Sequence, residues 1–308
     1  FDLHRDHIKL LAITGASNVS GAINPIHDLA QLAHRYGASI LVDAAQLAPH
    51  RAIEMGQTAD PGHIDLLVAS GHKLYAPFGT GVLIGPRTVF EEGAPDYSGG
   101  GTVEIVTEDD VFWTSPPEKD EAGSPNVLGA VAMAAACKAL TDIGMDYLAT
   151  HEADLTRHLL SELQKLDGIE VYGDPSPERA AERLGVVPFN IRRLPHYLTA
   201  AILSTEYGIG VRNGCFCAHP YVLRLLEISD QEAWGWRGQV LEGDRSTLPG
   251  LVRVSFGCYN THEEVDWLVC ALRRIANGEI QGSYVQDTST GTYYEQTFHP
   301  DLGEYFKL

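Results

Sequence analysis

Four short apolar runs, each closed by a polar or glycine-bearing turn, constrain the first half of this chain more than anything else in it. They are Ile8–Thr14, Ser39–Val42, Ile64–Ala69 and Gly81–Ile84. Each is too short to be a buried helix and is rich in β-branched and aliphatic residues, so each reads as a buried strand. Between the first two lies an amphipathic segment that Pro25 opens at a first helical turn and Gly37 closes after Tyr36. Strand, helix, strand at this spacing predicts a mostly parallel sheet covered by helices, an α/β architecture. In such sheets ligands bind beyond the carboxyl ends of the strands. Asp43 and the Ser70–Lys73 segment both fall there.

The stretch from Glu91 to Glu121 is rich in Gly, Pro and acids and predicts a long excursion. Asn126 to Ala139 is nearly all small and apolar and predicts a buried helix. Helical periodicity returns over Asp146–Leu166, Pro195–Glu206 and Thr261–Asn277. Among these, Ile169–Val171, Val186–Ile191, Ile209–Val211 and Leu251–Ser255 read as strands, giving a second region of α+β type. The expected division is a large α/β portion over 1–143, a small α+β domain over 144–281, and a polar, aromatic tail over 282–308 packed on a surface.

Composition narrows the partners. Of 308 residues, 41 are acidic and 22 are Lys or Arg, for a formal net charge of −19. So acidic a surface repels phosphate backbones and anionic lipid, which argues against nucleic acid or a membrane as the main partner. No apolar run reaches the roughly 20 residues that span a bilayer. The opening Phe1-Asp2-Leu3-His4-Arg5-Asp6 has no basic region followed by an apolar one, so no secretory signal is expected. Five cysteines, an odd number, are expected as reduced thiols, and the cytoplasm is the expected compartment.

The sharpest feature is Ser70-Gly71-His72-Lys73, a glycine-bearing turn directly after a strand. An amine held in a tight turn away from water is kept neutral, which is what imine chemistry with a carbonyl requires. Asp43 ends its own strand, in Val42-Asp43-Ala44-Ala45-Gln46, about thirty residues upstream, a gap that one parallel crossover covers. A lysine and a carboxylate at one crevice fit a pyridoxal phosphate site. There the lysine forms the imine and the carboxylate keeps the pyridine nitrogen protonated as an electron sink. Cys215-Phe216-Cys217-Ala218-His219 offers three donors with no fourth in a recognisable spacing, so no metal site is expected.

Six segments, in order, carry a resemblance. Ser17-Asn18-Val19-Ser20-Gly21, Val42–Gln46, Ser70–Tyr75, Glu121–Asn126, Arg212–Pro220 and Arg253–Asp266 are similar to segments of class V aminotransferase-fold enzymes. The likeness runs from about Ile8 to Asn277 and is strongest to the group II cysteine desulfurases and selenocysteine lyases. It implies pyridoxal phosphate transferase fold type I. It also implies that Lys73 holds the cofactor as an internal imine, that Asp43 pairs with the pyridinium nitrogen, and that Gln46 bonds the phenolic oxygen with Asn18 beside it. Ser70 and His72 would bind the phosphate, and Ser124 would reach the phosphate of a neighbouring subunit's site in a homodimer. Arg253 would clamp the substrate carboxylate, and Cys217, on a mobile loop, would be the nucleophile that takes sulfur from L-cysteine as a persulfide, leaving L-alanine.

The same resemblance marks departures. In that family a phosphate-cradling Gly/Thr turn and a ring-stacking His precede the strand at Ile8. The chain is therefore expected to lack the family's N-terminal portion, or to receive it from a second polypeptide. Phe216 stands before Cys217 where the desulfurases of this group commonly carry His or another polar residue, and phenylalanine does not help ionise a thiol. An acidic, Trp-rich insertion occupies the stretch between Cys217 and Arg253, including Asp230–Trp236 and Leu241–Leu248. Tyr284, Tyr293, Tyr294 and Tyr305 of the tail receive no role. The resemblance leaves other readings open: a pyridoxal phosphate C–S lyase or aminotransferase on another amino acid, or a non-catalytic subunit completed by a partner. A sulfur-acceptor protein is a further implied partner.

Overall fold

A computed structural model describes residues 1–4 and 7–298. The chain divides into two compact units, one of residues 1–16 and 23–148, the other of 17–22 and 149–308. The segment Ser17–Ala22 thus belongs with the later part of the sequence. Residues 299–308 of the expected tail, Tyr305 among them, lie outside the described residues.

In the first unit β1 (Leu10–Thr14), α1 (Ile26–Arg35), β2 (Ser39–Asp43), β3 (Leu66–Ser70) and β4 (Gly81–Ile84) follow the expected runs. The strands form one sheet in the order β1-β2-β3-β4. The first three are parallel, while β4 returns antiparallel to β3, pairing Ser70 with Gly81 and Leu67 with Ile84. The reversal follows from the connection: ten residues, with one short 3-10 turn, separate β3 from β4, whereas a parallel neighbour requires a crossover of a dozen residues or more. α1 buries Ile26, Ala30 and Ala33, places Asp28 in its first turn and His34 and Arg35 in its last, and so matches its own dipole.

After a short α2 (Arg87–Glu91), the excursion expected to be irregular contains a two-stranded hairpin, β5 (Val103–Val106) with β6 (Val111–Trp113). Two strands of three and four residues leave too short an alternation to stand out in sequence. The next helix, α3 (Val127–Ile143), is capped by Asn126, whose side chain accepts from Gly129 N at 3.0 Å. The expectation that it is buried is not met. Val127, Leu128 and Val131 are 61–70% exposed, and only Gly129 and Leu140 are buried. Composition says that a helix is apolar, but not which neighbour covers it.

The second unit begins within α4 (Met145–Leu163) and continues through β7 (Ile169–Val171), β8 (Val186–Ile191), α5 (His196–Tyr207), β9 (Arg212–Gly214), α6 (His219–Leu225), α7 (Asp230–Leu241), β10 (Leu251–Ser255) and α8 (His262–Ala276). Its sheet runs β7-β8-β10-β9, antiparallel throughout. The strand expected at Ile209–Val211 forms three residues later, at Arg212–Gly214. There the chain pairs with β10, while Ile209 and Val211 pack against the core instead. Leu155, Leu159, Phe189, Ile202, Leu203 and Leu272 are fully buried, and each such side chain stabilises the fold by about 1.5–3 kcal/mol. α8 shows why its sequence is helical. Thr261 and Glu264 form a reciprocal capping box, and Val265, Leu268, Val269, Leu272 and Ile275 face inward at helical spacing. The insertion folds largely as α7, with a capping box of Ser229 and Glu232. Within the expected tail, β11 (Tyr284–Gln286) and β12 (Tyr293–Glu295) form a hairpin, with Tyr284 packed on the core.

Candidate active site

Each unit carries part of the expected site. In the first, Asp43 closes β2 and pairs in register with Val68 of β3, so Ser70, two residues further along β3, shares its face. Beyond Asp43 the chain turns: Ala44 N donates to Val68 O at 2.8 Å, and Asp43 Oδ1 accepts from Ala45 N at 2.9 Å. That turn brings Gln46 to Lys73, whose Nζ donates to Gln46 Oε1 at 3.1 Å. Lys73 is half-buried in the tight turn Gly71–Leu74 that follows β3. Gly71 makes the turn possible. Its N–H donates to Thr80 O at 2.8 Å, and a Cβ there would lie 2.8 Å from Thr80 Cγ2 and 2.9 Å from Thr80 O. Tyr75 ends the turn at φ 64°, a left-handed conformation that few side chains adopt. Ser70 Oγ and His72 Nδ1 form a hydrogen-bonded pair at 2.8 Å. Ser124 is exposed in the turn ahead of α3.

In the second unit Asn18, Phe216, Cys217 and Arg253 come together. Asn18 Nδ2 donates to Phe216 O at 2.7 Å, and Asn18 O accepts from Arg253 Nη1 at 2.7 Å. The Arg253 guanidinium lies over the buried Phe216 ring, 4.9 Å from its centroid. Phe216 and Cys217 both take left-handed backbone conformations, at φ 52° and 60°. Two successive strained residues present the Cys217 thiol to solvent just ahead of α6 while Phe216 packs inward with Val19, Val222 and Leu251. Cys215, half-buried, donates from Sγ to Pro249 O at 3.4 Å, and burial pushes its thiol above the ordinary range.

Arg253 is the electrostatic centre of this cluster. Burial, and then the charge of Arg212, hold its pKa below that of an ordinary arginine. Arg212 stands directly opposite it in the β9–β10 register. Arg253 Nε is buried with no hydrogen-bond partner, and among the described residues no carboxylate pairs with this guanidinium. Two facing cations with an unspent donor form a receptor for an anion. The sequence pattern assigns no role to Arg212 and marks Phe216 only as a departure from the desulfurases. Both stand inside the Arg212–Cys217 frame, which is the signal that could have singled them out.

The donor set of the first unit fits pyridoxal 5′-phosphate: an amine already in contact with an amide, a carboxylate closing the adjacent strand, and a hydroxyl–imidazole pair beside them. The comparisons with known proteins agree. The family model for class V aminotransferases matches residues 2–268. A probable cysteine desulfurase of Xylella fastidiosa is 37% identical over 268 residues, covering 87% of this chain and 57% of that protein. A cysteine desulfurase of Salmonella typhimurium is 37% identical over 274 residues, covering 89% of this chain and 60% of that one. Among solved structures, an apo cysteine desulfurase from Thermococcus onnurineus superposes with a TM-score of 0.75 at 33% identity, over 89% of this chain and 61% of that one. The S-sulfonic acid form of an Escherichia coli cysteine desulfurase gives 0.71 at 29% identity, over 89% and 60%. The fold is that of the type I pyridoxal phosphate enzymes. Within that class, the chain belongs to the class V aminotransferase family, whose members depend on pyridoxal 5′-phosphate. It spans about three-fifths of the length of the relatives it matches.

Proposed function

We propose that this chain carries the lysine-bearing and cysteine-bearing parts of a cysteine desulfurase, which takes sulfur from L-cysteine and leaves L-alanine. The observation that carries the reading is Arg253, half-buried with its Nε enclosed and unpaired, without a carboxylate partner, and seated on the ring that holds the Cys217 loop. Its planar fork would receive the substrate carboxylate, and that anion would relieve the repulsion between Arg253 and Arg212. Phe216 lies under Arg253 and immediately precedes Cys217. The group that would seat the carboxylate and the thiol that would take the sulfur are thus tied to one side chain.

When bound, pyridoxal 5′-phosphate supplies a carbonyl for the substrate amine and a ring that accepts the electrons released at carbon. Lys73 Nζ would anchor the group and act as base toward the substrate Cα proton. Gln46 would turn its amide to the ring oxygen, with Asn18 beside that oxygen, and Asp43 would hold a proton at the ring nitrogen. Ser70 and His72 would donate to the phosphate, with Ser124 serving the phosphate of a neighbouring copy in a homodimer. Cys217 Sγ, as thiolate, would attack the sulfur of L-cysteine: the S–S bond forms, the substrate C–S bond breaks, and the electron pair stays with carbon, where a proton completes the methyl group of alanine. L-cysteine plus one thiol thus gives L-alanine plus one persulfide, with no external oxidant or reductant. A sulfur-acceptor protein would then take the terminal sulfur. The names of the relatives support the desulfurase activity, and a cytoplasmic setting suits reduced thiols. No single helix among the described residues is long and apolar enough to cross a membrane.

The test is a reconstitution of the chain with pyridoxal 5′-phosphate. A yellow absorption band bleached by borohydride, with the label on Lys73 by peptide mass, is the expected first result. L-cysteine should then yield alanine and a persulfide on Cys217, and Cys217→Ala should yield neither beyond background. A Cys217→Ala chain that still releases alanine and sulfide at full rate overturns the nucleophile assignment. Pyruvate, or conversion of the cofactor to its amine form, would point instead to a lyase or an aminotransferase.

A further inference from the structure

The acidic, Trp-rich insertion between Cys217 and Arg253 takes no part in the proposed sulfur transfer, yet it encloses a cavity of about 360 Å³ within the second unit. That volume lies in the range of roughly 300–1,000 Å³ that holds small molecules. α7 lines the cavity with Trp236, Arg237 and Val240, and the segment after it adds Arg245. α5 contributes Tyr197, and Cys215 forms the wall beside the Cys217 loop. Phe216 turns into the core and Cys217 to solvent, so the loop shows one thiol to this cavity and the other to water.

The tail hairpin holds this wall in place. In the turn between β11 and β12, Thr288 O accepts from Arg245 N at 2.7 Å, and Ser289 O accepts from Arg245 Nη1 at 2.8 Å. Gly291 takes φ 81° there, and a Cβ on it would lie 2.7 Å from Tyr197 Cζ and 2.8 Å from Arg245 O. Only a glycine lets the turn press so closely on Tyr197 and Arg245. Burial and the Cys215 thiol push the Tyr197 phenol above its ordinary range while the Arg245 charge draws it back, which fits three polar groups facing one space.

The walls are largely apolar and carry one sign of charge. Arg237 and Arg245 line the cavity, and among the described residues no acid does, in a chain whose net charge is −19. Arg237 lies over the Trp234 ring at 5.2 Å and Arg245 spends one nitrogen on Ser289 O, but among the described residues neither guanidinium pairs with a carboxylate. Guanidiniums without an acid, beside indole and phenol rings, suit a carboxylate on an aromatic body: the anion takes charge-assisted hydrogen bonds and the ring packs on the rings. An inorganic anion would leave the apolar walls unfilled, and a neutral aromatic would leave the guanidiniums unspent. We propose that this cavity is a binding site for a small aromatic monocarboxylate. Arg253 does not line it, so the site stands apart from the receptor for the amino-acid carboxylate and does not depend on sulfur transfer at Cys217.

The full chain is treated with iodoacetamide at neutral pH, with and without 3-phenylpropionate, and the adducts on Cys215 and Cys217 are quantified by peptide mass. Binding is measured in parallel by isothermal titration calorimetry. The carboxylate is expected to slow modification of Cys215, in the cavity wall, and to leave the rate at exposed Cys217 unchanged. 3-Phenylpropionamide, which lacks the charge, and acetate, which lacks the ring, should each bind about tenfold more weakly or worse. Arg245→Met, which keeps an apolar stem, and Arg237→Gln should each weaken 3-phenylpropionate binding by about tenfold or more. Arg237 is exposed, so Arg237→Gln is expected to keep the circular dichroism and urea midpoint of the unaltered chain, and it decides the matter if Arg245→Met does not fold. No protection of Cys215 by the carboxylate, equal protection by acid and amide, or binding unchanged in the arginine variants overturns the proposal.

Discussion

Arg212 and Arg253 face each other across β9 and β10, directly opposite in register, and the half-buried second of them has its enclosed Nε unpaired. Like charges placed directly opposite destabilise a sheet, and an enclosed donor left without an acceptor adds a desolvation cost. A carboxylate between them removes both penalties. Arg253→Ala is therefore expected to raise KM for the amino-acid substrate roughly 10- to 150-fold, the range for losing charge-assisted hydrogen bonds. Arg253→Lys should recover only part of this, because a lysine cannot form the bidentate fork. An unchanged KM in steady-state kinetics for Arg253→Ala would reject the carboxylate role.

Gly71 sets the position of Lys73. An added methyl collides with Thr80 Cγ2 and Thr80 O at under 3 Å, and Thr80 O is itself bonded to Gly71 N. Gly71→Ala should displace the turn, separate Lys73 from Gln46, and weaken pyridoxal phosphate binding about tenfold or more in an absorbance titration. A binding curve that overlays the unaltered chain would show that the turn has room to give.

Phe216 and Cys217 are adjacent but should differ sharply in unfolding experiments. Phe216 fills a small core with Val19, Val222 and Leu251, and its replacement by Ala is expected to cost about 3 kcal/mol in urea denaturation. Cys217 is exposed, and Cys217→Ala should stay within about 0.5 kcal/mol. The same contrast should appear in alkylation at neutral pH. Cys217 should be modified well before Cys215, whose thiol is half-buried and harder to ionise. Peptide mass mapping reads the order directly.

His196 gives the second unit a pH dependence of defined sign. It is buried, 3.0 Å from Leu248 O through Nε2 and 3.3 Å from Asn213 Oδ1 through Nδ1. Burial lowers its pKa below the ordinary histidine value. The unfolded chain therefore binds the proton more readily than the folded one. The stability contribution is present above about pH 6.5 and is lost as pH falls through the depressed folded value. Urea midpoints measured between pH 7.5 and 5 should fall for the unaltered chain and fall less for His196→Gln. Equal slopes would remove His196 from the account.

Much of this was legible in order along the chain. Short apolar runs bounded by turns identify β1, β2, β3 and β4, and the placement of Asp43 and Lys73 after two of them follows from parallel pairing alone. The capping residues of α8 and its spacing of Val265, Leu268, Val269 and Leu272 are equally local. These features rest on periodicity and turn chemistry, which a sequence states directly.

What only the tertiary structure decided is which distant residues share a surface. No spacing rule joins Asn18 to Phe216, or sets Arg212 against Arg253. Both depend on which strands pair and on Ser17–Ala22 belonging with the later unit. Nor does any spacing rule join His34 and His63 to Asp65, because a helix end, a loop and a strand entry supply one each. The exposure of α3 was likewise hidden, since apolar composition reports a need for burial and not the neighbour that meets it. Local geometry is encoded residue by residue, but long-range contact is a property of the packed chain.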